Sequence, residues 1–95
     1  MSIVRRITAD VASPTPFVVK GDFIVYLTGS FGGGTAQLER RNLDGDFEAI
    51  IGADYTTAVS DHITSGRTEV YRFPMSGSTT PTLRIEVPGA TDFNE

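Results

Sequence analysis

Cysteine and tryptophan are absent from this chain, and it has one histidine, His62. Without thiols there is neither a disulfide framework nor a thiolate zinc site, so a hydrophobic core or an oligomeric partner must supply the stability. A nucleophile-base-carboxylate triad would depend on His62 alone, and its chain neighbour Asp61 would point to the opposite face of a strand. Positive charge is scarce: eight Lys and Arg stand against twelve Asp and Glu, for a formal net charge of −4. Neutralising phosphates takes a basic face, and only Arg5-Arg6 and Arg40-Arg41 offer one, so no nucleic-acid partner is expected. Long apolar runs are missing as well. "FIVYL" (23–27) and "FVV" (17–19) fall far short of the roughly 20 residues that span a bilayer, and "MSIVRRITADVA" lacks the apolar stretch of a signal peptide. The expectation is a soluble protein made in the cytoplasm, with no membrane partner. Helical periodicity is also absent, since no window of about a dozen residues repeats apolar positions at i, i+3, i+4 and i+7.

What the chain does have is Thr, Val, Ile, Phe and Tyr in short runs, separated by turn residues. Strands are predicted at Ser2 to Thr8, Phe17 to Lys20, Asp22 to Thr28, Thr35 to Arg41, Phe47 to Gly52, Ala58 to Ile63, Glu69 to Phe73 and Pro81 to Val87. The separators are "SPTP", "KGD", "GSFGGG", "NLDGD", "TSGR" and "PMSGSTTP". Alternation places Ala36 and Leu38 on an apolar face with Arg40 at its rim, and Thr35, Gln37, Glu39 and Arg41 on the other face. Leu83, Ile85 and Val87 share an inward face, as do Phe47, Ala49 and Ile51, and also Val59 and Ile63 with Asp61 an exception. At 95 residues the chain fits one domain with a modest core. The fold class is all-β: a single antiparallel two-sheet β-sandwich, jelly-roll-like or Ig-like, of about eight short strands. Residues 1–16 read as an N-terminal strand and linker arm, 17–87 as the body and 88–95 as a polar tail.

No chemistry is announced by the motifs. "GSFGGG" (29–34) leads into a strand rather than a helix N-terminus and no P-loop lysine follows, so its glycines supply positive φ or a bulge, with Phe31 over the end of the core. "NLDGDFE" (42–48) alternates oxygen ligands as a calcium loop does, but its glycine is misplaced and no helix flanks it, whereas Asp-Gly is a strong hairpin signal. His62 is expected at a solvent-facing rim. Asp54, Asp61, Glu69 and Glu86 show no pairing for acid-base work. No enzyme, no cofactor and no catalytic or metal-ligating residue is expected. A sugar site has only Phe31, Tyr26, Tyr55 and Tyr71 to stack on, and these do not cluster in sequence.

The order of these features resembles that of small all-β virion proteins of tailed bacteriophages. In those, a strand ends in G-x-F-G-G, a T-x-x-L-x-R strand follows, then a D-G-x-F/W hairpin, and later Y-R-F-x-x-S-G-x-T-P-x-L before a last strand. The matching residues are Gly29, Phe31, Gly32, Gly33, Thr35, Leu38 and Arg40, then Asp44, Gly45 and Phe47. Tyr71, Arg72, Ser76, Gly77, Thr80, Pro81 and Leu83 complete the match, which covers about 21–87. The resemblance implies a structural protein of the virion, most simply a capsid decoration or cement protein on the outer capsid surface that bridges major capsid subunits. The alternatives are a tail- or head-fibre-associated module and a small carbohydrate-binding sandwich. Its implied partners are the major capsid protein and neighbouring copies of itself, as a dimer or trimer. The expected contacts are Ile3, Arg5, Arg6 and Ile7 of the N-terminal segment, suited to strand addition onto a neighbour, and Phe31 as an exposed loop residue.

Overall fold

The computed structural model describes residues 2–93, and among these there are ten strands and no helix. They are β1 (Ser2–Ile7), β2 (Phe17–Lys20), β3 (Phe23–Ser30), β4 (Thr35–Arg41), β5 (Phe47–Tyr55), β6 (Val59–Ile63), β7 (Thr68–Arg72), β8 (Met75–Ser76), β9 (Thr82–Pro88) and β10 (Thr91–Asp92). One sheet has the order β1-β9-β3-β6 and the other β10-β2-β7-β4-β5, with β8 paired to β4, and every pairing is antiparallel. The sandwich expected from the alternation is therefore the observed fold. The two additional strands, β8 and β10, have two residues each, too short to show a period of two in the sequence.

Each sheet turns alternate residues inward. Val25 and Leu27 of β3 and Ile85 and Val87 of β9 meet Phe17, Ala36, Leu38 and Tyr71 of the opposing sheet, all of them buried. Aromatic rings form the middle of this core. Phe17 stacks on Tyr71 and on Phe73 at centroid distances of 5.9 and 6.3 Å, and Phe23 tilts against Tyr71 at 4.8 Å. Such contacts add to the apolar area removed from water.

The first strand is built into its sheet, pairing with β9 without interruption from Ser2↔Pro88 to Ile7↔Leu83. The chain's far end is held too, because Thr91 and Asp92 pair with Val18 and Phe17. The last two residues of the expected polar tail, 94 and 95, lie outside the described residues, as does residue 1 of the expected arm.

One face assignment is corrected. Phe47, Ala49 and Ile51 do not point into the core: Phe47 is half-buried on the outer face, and Ala49 and Ile51 are exposed. The cause is hairpin register. Phe47 pairs with Arg41 and Ala49 with Glu39, and directly opposed residues share a face, which here is the polar face of β4. Past Ala49 the register jumps, with Gln37 opposite Asp54, so four residues of β5 bulge out against one of β4. Across the bulge the phase inverts, and Ala53 and Tyr55 are buried.

Candidate partner interface

Four of the five side chains expected at a partner surface are used within the fold. Ile3 and Ile7 lie on the inner face of β1 and belong to the core. Phe31, expected as an exposed loop residue, is only 5% accessible and closes the end of the core instead. Its position follows from the corner that the glycines make. Gly32 and Gly33 take φ of 59° and 78°, and the Gly34 amide donates to the Phe31 carbonyl at 2.9 Å, which folds the ring back over the sandwich. Arg5 crosses the open side between the sheets: its guanidinium donates to Asp92 Oδ1 at 2.6 Å and to the Pro16 carbonyl at 3.2 Å. Arg6 alone is exposed, and among the described residues it makes no ion pair.

The two segments that carried the family resemblance pack against each other. Gly29 pairs with Leu83, and the Thr79 amide donates to the Gly32 carbonyl at 2.9 Å. A Cβ on Gly34 would come within 2.6 Å of the Ser76 carbonyl oxygen. Asp10, in the linker after β1, ties this corner down, accepting hydrogen bonds from the Gly77 amide at 3.1 Å, the Ser78 amide at 2.9 Å and the Ser78 hydroxyl. The Ser78 bonds, side chain first, lower the Asp10 carboxyl below its ordinary value.

Other polar groups are engaged in the same structural way. Asp61 lies opposite buried Val25, at the inner margin of edge strand β6. There it accepts the Tyr55 hydroxyl from the other sheet at 2.6 Å, which accounts for the break in alternation at this position. Burial first, then the hydrogen bond to Asp61, pushes the Tyr55 hydroxyl well above the ordinary tyrosine value. Arg72 pairs with Glu39 at 2.6 Å and lies over the Phe47 ring at 4.3 Å. Glu69 is held between Arg67 at 2.9 Å and Arg40 at 3.3 Å. "NLDGD" is a turn: the Asn42 side-chain oxygen accepts the amides of Asp44 and Asp46 at 2.9 and 3.0 Å, and Gly45 has φ of 89°. Among the described residues no group of three or more His, Asp or Glu is placed to hold a metal ion. His62 is exposed on the outer face of β6, opposite Ile24. Of the tyrosines, Tyr55 and Tyr71 are buried and Tyr26 is exposed, so they form no shared surface.

Some large apolar side chains are displayed on this surface. Val4, Ile24 and Tyr26 lie on the outer face of the first sheet, with Val4 and Tyr26 flanking Glu86 in one cross-strand row. On the β4–β5 hairpin, Leu43 at the turn is 96% exposed and Ile51 at the bulge is fully exposed. The bulge is a built feature, because the Gln37 side-chain amide donates to the carbonyls of Leu38, Ile50 and Ala53 at 3.0 to 3.1 Å. Neither hairpin residue was anticipated as a contact. The available signal was Gly52 within a strand, a position that marks bulges. Comparison of the chain with protein-family models, curated proteins and solved structures yields no match.

Proposed function

We propose that this protein is a structural component of a bacteriophage virion, a decoration or cement protein that bridges major capsid subunits on the outer shell and binds neighbouring copies of itself. The observation that carries the reading is a division of labour on the surface. Arg5, Arg40, Arg67, Arg72 and Arg84 are paired with carboxylates of the sandwich, while two fully presented aliphatic side chains, Leu43 and Ile51, project from a braced hairpin. Exposed aliphatics on a rigid element suit adhesion to a complementary surface. The motif order shared with small phage virion proteins supports the same reading, and the packing of its two halves into one corner gives that order a structural meaning.

Leu43 and Ile51 replace the buried Phe31, Ile3 and Ile7 as the proposed capsid contacts. A protein that binds only the assembled lattice adds its binding free energy to shell stability, and many weak identical contacts suffice when they act together. Particles lacking the protein are expected to release DNA at lower temperature or lower salt than complete ones. Adding the purified chain back restores them, and a chain with Leu43→Ser and Ile51→Ser does not. Unchanged release from particles without the protein overturns the reading. A few copies per particle on a quantitative gel moves the protein to the tail or a fibre.

A further inference from the structure

The two open sheets leave four edges, and three of them are blunted. β5 is broken by its bulge. β6 turns the Asp61 carboxylate inward at its margin, and β10 is two residues long. These are the devices by which sandwiches avoid pairing edge to edge. β1 shares only the inward charge, Arg5 opposite buried Ile85, and that guanidinium is taken up by Pro16 and Asp92. The strand runs six residues in continuous register, with no proline, glycine or bulge. Among the described residues its backbone hydrogen-bonds along β9 only, and a cleft of about 340 Å³ opens between its C-terminal half and the following linker. In an antiparallel pair alternate residues direct their N–H and C=O groups away from the partner strand, so β1 presents unpaired backbone groups at its outer edge.

We propose that β1 is the pairing edge for a second copy of this chain, joined antiparallel across a two-fold axis at Val4 into one eight-stranded sheet. The strand is self-complementary in that register. Ser2 faces Arg6 of the second copy, Ile3 faces Arg5, and exposed Val4 meets its own counterpart. Moving the axis to Arg5 sets that arginine against itself, and moving it to Ile3 leaves half of the strand unpaired. Charge favours the Val4 axis as well. Arg6, without an ion pair among the described residues, arrives beside Ser2, whose hydroxyl already donates to Glu86 at 3.5 Å. Each copy therefore offers the other the Glu86 carboxylate, one oxygen of which already pairs with Arg84 at 3.1 Å, and symmetry doubles the contact. A six-residue ladder buries little area, so the dimer is weak in solution and gains from a lattice that holds many copies. The pairing does not depend on the capsid reading, since it is tested on the purified chain alone.

The experiment combines sedimentation velocity from micromolar to millimolar protein with amide hydrogen exchange along the backbone. A concentration-dependent dimer is expected, with protection rising at alternate β1 amides and unchanged at β6. Val4→Lys, which opposes two charges at the axis, weakens the dimer about tenfold, the equivalent of about 1.4 kcal/mol, whereas Val4→Thr leaves it intact. The proposal is overturned by a monomer at every concentration, by a dimer indifferent to Val4→Lys, or by protection that rises on another edge. Exchange on the unmodified chain decides the question even if Val4→Lys does not fold.

Discussion

Tyr55 and Asp61 show how one pair of side chains fixes the meeting of two sheets. The hydroxyl comes from β5 and the carboxylate from β6, so their 2.6 Å bond closes one margin of the sandwich. Removing the donor by Tyr55→Phe leaves Asp61 partly buried with one partner fewer, and a loss of about 1 to 2 kcal/mol is expected in urea unfolding at neutral pH. The pair also sets an alkaline limit. The Tyr55 hydroxyl is held protonated beyond the ordinary tyrosine value of 10.0, so its contribution is complete below that pH. It is lost as pH rises further, because the unfolded chain ionises first. Across that range wild-type stability should fall more steeply than that of Tyr55→Phe, with the residual slope belonging to Tyr71, which burial also raises. Equal slopes for the two proteins would refute the assignment. In sequence Asp61 showed only as an interruption of alternation, because its partner lies on the other sheet, and alternation describes one strand at a time.

At the level of elements, the strands were legible and the relations between them less so. β2 and β4 have the bounds that composition and turn residues predict, and Gly29 to Gly34 turn the corner between β3 and β4. β5 differs, and the reason is instructive. Its inward residues depend on the Arg41↔Phe47 pairing and on the bulge after Ala49, and both come from contact with β4. Phe31 and the N-terminal isoleucines, expected at the surface, are buried for a related reason. An apolar residue in a loop or a first strand has the same sequence signature whether it covers a core or a partner, and only the closing of the corner by Ser76 to Thr79 separates the two cases. That corner permits a direct comparison of crowding with backbone strain. Gly34→Ala would drive a Cβ into the Ser76 carbonyl and the Ser78 backbone, whereas Gly33 has φ of 78° and nothing within 4 Å. Gly34→Ala should be destabilising by about 3 kcal/mol and Gly33→Ala by about 1 kcal/mol. Thermal unfolding of the two variants checks the order, and a reversal would mean that the corner yields at Ser76 and Ser78 more readily than the Gly33 backbone.

For the whole molecule, the question is what holds the first sixteen residues to the rest. The main attachments are the β1–β9 ladder, the Arg5 bridge to Asp92, the Phe93 amide's bond to the Pro16 carbonyl, the Val11↔Met75 bridge and the Asp10 clamp on Gly77 and Ser78. The clamp's strength depends on protonation of a single carboxyl. Hydrogen bonds from Ser78 and Gly77 favour its charged form and place its native value below the ordinary 3.8, so the unfolded chain takes up the proton first as pH falls. Its contribution is therefore complete above the ordinary carboxylate range and disappears as pH drops through the lowered native value. Asp10→Ala should accordingly be less stable than wild type at neutral pH, and the gap between their denaturation midpoints should close on acidification, beginning near pH 4. Hydrogen exchange adds a local readout, because the Gly77 and Ser78 amides lose their acceptor in Asp10→Ala while the β1 amides bonded to β9 retain theirs. A gap that persists unchanged to the acid limit would show that Asp10 stabilises the corner by packing rather than by its charge. Loss of protection in β1 as well would make the clamp a condition of strand docking, and the edge proposed for a second copy would then exist only while Asp10 is ionised.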